Sequence, residues 1–324
     1  MREWSVLVSY DFQTIGKSLR RHEDWDKVSG SVRFTDDLSL PGMLFAKVFR
    51  SSVPSALVQK IDCRVARSLP GVAAVLTATD IPGRNGIGII IKDEPVLVTD
   101  KIRRVGDALA LVAAEDRHIA VAALDKIEVQ LQKTAAIFSP EKAMSLSMPP
   151  IHGESNILEH RKIRKGNIQE ALEKAEVVVE QTYQMTFVEH AALEPESSLA
   201  LREGDSITVW ASTQNPHFDR GEVAAMLDIG QSRVRVIQQP TGGGFGGKLD
   251  ISTQCHAALL AWHTRRPVKL TYSREEVFTA TGKRHPYTVK YLSAATAEGK
   301  LLGIKAEIII DTGAYASYGP GVVT

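Results

Sequence analysis

Apolar residues dominate positions 42–49, as in a buried strand. Residues 65–69 read as the end of a short helix, stopped by Pro70-Gly71. Residues 72–76 then read as a strand, and 87–91 and 108–113 are further strand candidates. Positions 117–125 have a helical pattern, and 127–131 alternate as a strand. Residues 140–165 carry prolines and read as a linker. Gly166-Asn167 opens a helix through Lys174, and 177–186, 206–211 and 233–238 read as strands. After a glycine-rich stretch, residues 252–262 end in Ala257-Ala258-Leu259-Leu260-Ala261-Trp262 and read as a helix. There is no internal repeat and no low-complexity tract.

The pattern predicts an α+β chain: a polar lead-in over 1–25, a mixed domain over 26–138, a linker over 139–166 and a second mixed domain over 167–324. The first domain is expected to be compact, to meet the second across the linker, and to be independent of any cofactor. Lys and Arg number 39 against 38 Asp and Glu, so there is no electrostatic case for a nucleic-acid or acidic-membrane partner. No run has the length of a signal core or a bilayer span. Cys63 and Cys255 are the only cysteines, which argues for a cytoplasmic chain without a disulfide scaffold. Two cysteines also cannot hold an iron–sulfur cluster within the chain.

The chemistry centres on Thr241-Gly242-Gly243-Gly244-Phe245-Gly246-Gly247-Lys248. Five glycines in eight residues let backbone approach something closely. A strand is expected to end near Gln239 and a helix to begin near Asp250, so backbone N–H groups converge as they do around an anion or oxo group. Gly242 to Lys248 fits G-x-x-x-x-G-K, but Leu249 cannot hold magnesium as Ser or Thr would. Gly242, Gly244 and Gly247 fit a dinucleotide fingerprint, yet residues 263–269 offer no ribose-binding acid. A plain turn needs one or two glycines rather than five.

This loop resembles the G-G-G-F-G-G-K motif of the molybdenum hydroxylases, the xanthine oxidase family. The likeness continues in Ser212-Thr213-Gln214-Asn215, Lys27-Val28-Ser29-Gly30, Arg33-Phe34-Thr35-Asp36-Asp37 and Pro41-Gly42-Met43-Leu44. It extends to His190-Ala191-Ala192-Leu193-Glu194-Pro195, Arg284-His285-Pro286 and Asp311-Thr312-Gly313-Ala314-Tyr315, in order along nearly the whole chain. The resemblance implies an N-terminal a/b hammerhead domain followed by the first part of a molybdopterin-binding domain. It implies molybdenum on molybdopterin, in the cytosine dinucleotide form, with [2Fe-2S] and FAD on partner subunits. The pterin holds the metal, and no side chain ligates it directly.

By the same resemblance, the Gln214 amide donates to a metal oxo ligand, and the Phe245 and Gly246 N–H groups face it. Phe245 also walls the pocket. Gly243, Gly244 and Gly247 complete the cofactor-binding set. Lys248 has two readings, a contact to the cofactor's phosphate or a cap on a carbonyl. His190 and Glu194 have helix-like spacing without H-E-x-x-H, so zinc is not indicated, and Glu194 reads as structural or at a subunit contact rather than as a base. His256 and His263 read as packing or capping residues, and Asp250 as the N-cap of the helix after the loop.

Two departures from the family pattern shape the functional expectation. In the purine-oxidising branch a glutamate follows the loop lysine, and here Leu249 stands there. That favours a smaller ring, an N-heteroaromatic acid such as nicotinate. The family's glutamate base lies beyond Thr324, so a second molybdopterin subunit or a missing C-terminal part is expected, and the chain alone is expected to be inactive. The alternatives are a purine or aldehyde hydroxylase of the same family, and an inactive assembly or cofactor-carrying module.

Overall fold

The computed structural model describes residues 12–21, 23–145 and 147–323. The first eleven residues of the expected lead-in lie outside them. The described residues up to Arg33 belong to a unit of their own. Its short helix, Asp24–Ser29, ends at Gly30, whose φ of 75° suits glycine in the left-handed cap and whose N–H bonds the Asp26 carbonyl.

From Phe34 onward, thirteen strands are present among the described residues. They are β1 (Leu44–Arg50), β2 (Ala56–Asp62), β3 (Val72–Leu76), β4 (Lys101–Ile102), β5 (Ala108–Ala114) and β6 (Glu128–Lys133). Then come β7 (Val177–Met185), β8 (Ser197–Glu203), β9 (Ser206–Ala211), β10 (Val234–Gln238), β11 (Val268–Thr271), β12 (Tyr287–Ala295) and β13 (Leu301–Ile310). Seven of them make one mixed sheet in the order β10-β9-β8-β11-β1-β5-β3. Two three-stranded sheets, β13-β12-β7 and β4-β2-β6, complete the set.

The large sheet takes strands from both sides of the 139–166 segment. β1 runs parallel to β11, with Leu44 opposite Val268 and Ala46 opposite Leu270, and antiparallel to β5. The two halves of the sequence are therefore hydrogen-bonded into one sheet. The physical reason lies in β1, whose apolar run needs a pairing partner on each side. β5 is buried at all seven positions, the pattern of a strand covered on both faces. Its Leu111 and Ala113 join a core with Leu44, Leu259, Leu260 and Leu270, while Ala110, Val112 and Ala114 pack under the helix Arg117–Leu124.

Residues 87–91 do not form the expected strand. They bend, with a single bridge from Ile87 to Glu94. Gly88 sits at φ 145°, and a Cβ there would lie 2.0 Å from the Ile91 carbonyl oxygen, so the chain folds back on itself. The helix after the glycine loop is Gln254–Thr264, with Thr253 at its N-cap rather than Asp250. Asp250 bonds the Ser317 hydroxyl, and burial raises its carboxyl above the usual range. Cys63 and Cys255 are both buried and free.

If the sheet is one cooperative body, Leu44→Ala should cost about 2–5 kcal/mol and weaken both halves at once. Hydrogen exchange reads this out, because amides of β3 and β9 should lose protection together. Loss confined to β1, β3 and β5 would show two independent cores.

Candidate functional site

The glycine loop leaves β10 and turns before the helix Gln254–Thr264, and none of residues 241–248 is helical. Three of its residues have positive φ: Gly243 at 104°, Phe245 at 54° and Gly246 at 90°. Phe245 is the informative one. A bulky residue is strained in the left-handed region, and its ring is 74% exposed, so it is not core packing. The ring lies against Gly243, where an added Cβ would come 3.1 Å from it.

The two ends of the loop are tied to one carboxylate. Glu194 Oε2 accepts from the Gly242 N–H at 2.7 Å, the Ser212 hydroxyl at 2.8 Å and Lys248 Nζ at 2.9 Å. Lys248 is 1% exposed at its side chain, and Nζ also donates to the Glu194 carbonyl at 2.9 Å and Ser212 Oγ at 2.6 Å. All three ammonium protons have acceptors, which is what a buried lysine requires. Of the two readings of Lys248, the carbonyl cap is the one present, reinforced by an ion pair. Glu194 is structural as expected, although residues 190–194 are not helical.

Gln214 docks into the middle of the loop. Its backbone N–H donates to the Lys248 carbonyl at 2.9 Å. Its Oε1 accepts from the Gly246 N–H at 3.0 Å and the Lys248 N–H at 3.3 Å. Two N–H donors converging on one atom fix that atom as the oxygen, so the NH2 group is the end presented outward. Nε2 has no protein partner among the described residues, and the residue is exposed. A Cβ on Gly244 would come 2.5 Å from Oε1, and one on Gly247 2.7 Å from His190 Nδ1. Gly246 faces open space. The Gly246 N–H is engaged by Gln214, whereas that of Phe245 has no protein partner among the described residues.

Gln214, Gly244, Gly246 and Lys248 are thus brought together, Gly243 and Phe245 lie against each other, and Gly247 backs onto His190. A donor amide, a free N–H and an exposed aromatic ring beside bare glycine backbone suit an oxo-bearing cofactor. Among the described residues no cluster of three His, Cys, Asp or Glu could hold a metal ion.

Sequence reasoning missed the supports around the loop. Arg274 donates to the carbonyls of Ala192 at 2.7 Å and Leu193 at 3.1 Å. Lys283 pairs with Glu189 at 2.6 Å, and burial lowers its ammonium below the usual range. Burial likewise raises the Glu196 carboxyl. The only advance signal was a charge beside a glycine run or an apolar turn. His256 and His263 hold the following helix to distant carbonyls, of Val96 at 2.9 Å and Asp80 at 2.8 Å.

Residues 151–324 match the model of the molybdopterin cofactor-binding domain, and 29–135 that of the aldehyde oxidase and xanthine dehydrogenase a/b hammerhead domain. The chain is 47% identical over 315 residues to the nicotinate dehydrogenase large molybdopterin subunit of Eubacterium barkeri, covering 97% of this chain and 74% of that one. It is 36% identical to the xanthine dehydrogenase molybdenum-binding subunit of Escherichia coli O157:H7, covering 92% and 41%. Among solved structures it is similar to the aldehyde oxidoreductase of Desulfovibrio gigas. That match has a TM-score of 0.88 and 27% identity, over 92% of this chain and 35% of that one. Quinoline 2-oxidoreductase of Pseudomonas putida 86 gives a TM-score of 0.86 and 27% identity, over 93% and 40%.

Replacing Lys248 with Met should cost about 3–5 kcal/mol, because it leaves the Glu194 charge buried without a counter-charge. Urea unfolding measures the loss, and proteolysis within 242–247 should quicken. A second expectation concerns acid. Burial holds the His256 imidazole down at about 4, below its ordinary 6.5. Its contribution to stability is therefore present above about pH 6.5 and lost as pH falls toward 4. His256→Gln should flatten that part of the stability profile, and an unchanged slope would remove His256 as its source.

Proposed function

Because this chain belongs to the molybdopterin cofactor-binding family, with the hammerhead domain of aldehyde oxidase and xanthine dehydrogenase ahead of it, we propose that it forms part of the molybdenum site of a hydroxylase for an N-heteroaromatic acid such as nicotinate. The observation that carries the reading is the Gln214 amide, locked at Oε1 by loop N–H groups so that only its NH2 faces outward. When bound, the cofactor, molybdopterin in its cytosine dinucleotide form, supplies the oxygen given to the ring and accepts two electrons.

The protein's part is orientation and charge stabilisation. Gln214 Nε2 and the Phe245 N–H donate hydrogen bonds without adding net charge, which suits an oxo group gaining electron density. The Phe245 ring forms one wall for a planar substrate. Leu249 offers no hydrogen bond to a purine edge, which favours a pyridine ring.

Glu194 is engaged by Lys248, Glu189 by Lys283, and Asp250 by the Ser317 hydroxyl. We assign the base to residues outside this sequence, on a second molybdopterin subunit or a missing C-terminal part. The chain spans about three quarters of its nicotinate dehydrogenase relative and about 40% of the bacterial xanthine dehydrogenase ones. Leu193 at 91% and Phe245 at 74% exposure leave apolar surface at the loop, which suits a covering partner. We assign that role to a second molybdopterin subunit or the missing C-terminal part, with [2Fe-2S] and FAD subunits receiving the electrons. No helix among the described residues is long and apolar enough to cross a membrane, and the reading places the complex in the cytoplasm.

Two measurements test this. In the assembled complex Gln214→Ala should lower turnover about 10²- to 10³-fold while molybdenum content stays level, and unchanged turnover would remove Gln214 from the site. The 324-residue chain alone should retain little molybdopterin and hydroxylate no nicotinate, gaining activity only with its partners. Hydroxylation by the isolated chain would refute the division of labour.

A further inference from the structure

We propose that Asp219 is a positioning residue for Gln214: its carboxyl fastens the Thr213–Gln214 turn to the chain leaving the glycine loop, and its protonation changes how the Gln214 amide is held. The link to turnover rests on the function proposed above, but the coupling itself does not.

Asp219 is wholly buried, in the first turn of the helix Pro216–Leu227. Its Oδ2 accepts from Gln254 Nε2 at 3.3 Å, and the Thr213 hydroxyl is the other side-chain donor beside it. Gln254 in turn accepts the Ser252 N–H at 2.8 Å through Oε1. Thr213 is wholly buried too, and its hydroxyl oxygen accepts the Asn215 N–H at 3.0 Å. Asp219 therefore joins the same two chain segments that Gln214 and Lys248 join at the surface, one layer below.

The carboxyl has nothing to neutralise it. Glu222 on its own helix is a second acid, and the cations there, Arg84 and Lys92, bind Glu222 at 3.0 and 2.8 Å. From the helix Gln254–Thr264 it faces Gln254 and the Cys255 thiol, which burial holds well above its usual range. From the 311–318 turn the nearby group is the Tyr318 phenol, raised by burial. Oδ1 is buried without a partner, the atom on which a proton would sit. Burial pushes the carboxyl up to about 7, so both protonation states are populated near neutral pH. Ionisation strengthens the bond from Gln254 and draws in the Thr213 hydroxyl, which tightens the turn that carries Gln214.

The test is NMR of the labelled chain without cofactor. The Gln214 side-chain amide should move with pH about a midpoint near 7, together with the Asp219 carboxyl carbon. In Asp219→Asn it should stay at its acid-limit position throughout. Thr213→Val should keep the Asp219 transition and remove that of Gln214. A Gln214 amide that holds still while Asp219 titrates overturns the proposal, as does one that titrates equally in Asp219→Asn. Should that variant not fold, the wild-type chain and Thr213→Val decide between the outcomes. In the loaded complex Asp219→Asn should remove a pH limb near 7 from kcat. A complex that hydroxylates no heteroaromatic acid sinks the function and leaves the NMR result standing.

Discussion

The buried ion pair of Lys248 and Glu194 is the constraint on which the site depends. A loop with five glycines loses more conformational entropy on ordering than any other composition. Its shape must therefore be imposed from outside. One carboxylate oxygen does so by holding the N–H of the loop's first glycine and the ammonium of the lysine at its end. With both ends fixed, the middle can arch over Gln214 Oε1 and hold Phe245 in a backbone conformation it would not choose alone. The arrangement is precise because its support is dry and fully hydrogen-bonded at the lysine.

That support is itself anchored in the large sheet. Glu194 lies just before β8, Ser212 just after β9, and these strands pair with each other. β8 also pairs with β11, which reaches β1 of the hammerhead half. The helix after the loop is tied to carbonyls of Val96 and Asp80 by its two histidines. The hammerhead half thus contributes no residue to the Gln214 contact and still stiffens the ground beneath it.

Much of this was legible in sequence, and the limits have physical causes. Strands with one chemical character, such as β3, β5 and β9, stood out because their alternation or continuous burial needs no partner to be recognised. The helix Pro216–Leu227 was missed because it buries Asp219 and Glu222, which broke the apolar pattern. Residues 87–91 misled because apolar content cannot distinguish a strand from a glycine-hinged bend. At the site, Gln214 and the glycines followed from motif resemblance. The clasp did not, because Glu194, Ser212 and Lys248 are distant in sequence and each has an unremarkable local setting. Asp250 failed as a cap since its bond runs to Ser317, a contact of the tertiary fold.

The parallel pairing of β1 with β11 also has a consequence for how the chain is made. Leu44 and its partner Val268 are about 220 residues apart. At about 5–20 residues per second of synthesis, β1 emerges from the ribosome some tens of seconds before the strand that will cover it. During that interval β5 can protect one side of β1, while the other presents an unpaired, apolar edge, the kind of template that recruits foreign strands. The nascent chain therefore has a window in which crowding or slow translation favours misassembly, and a holdase that occupies that edge until residue 271 is out would act at its weakest moment.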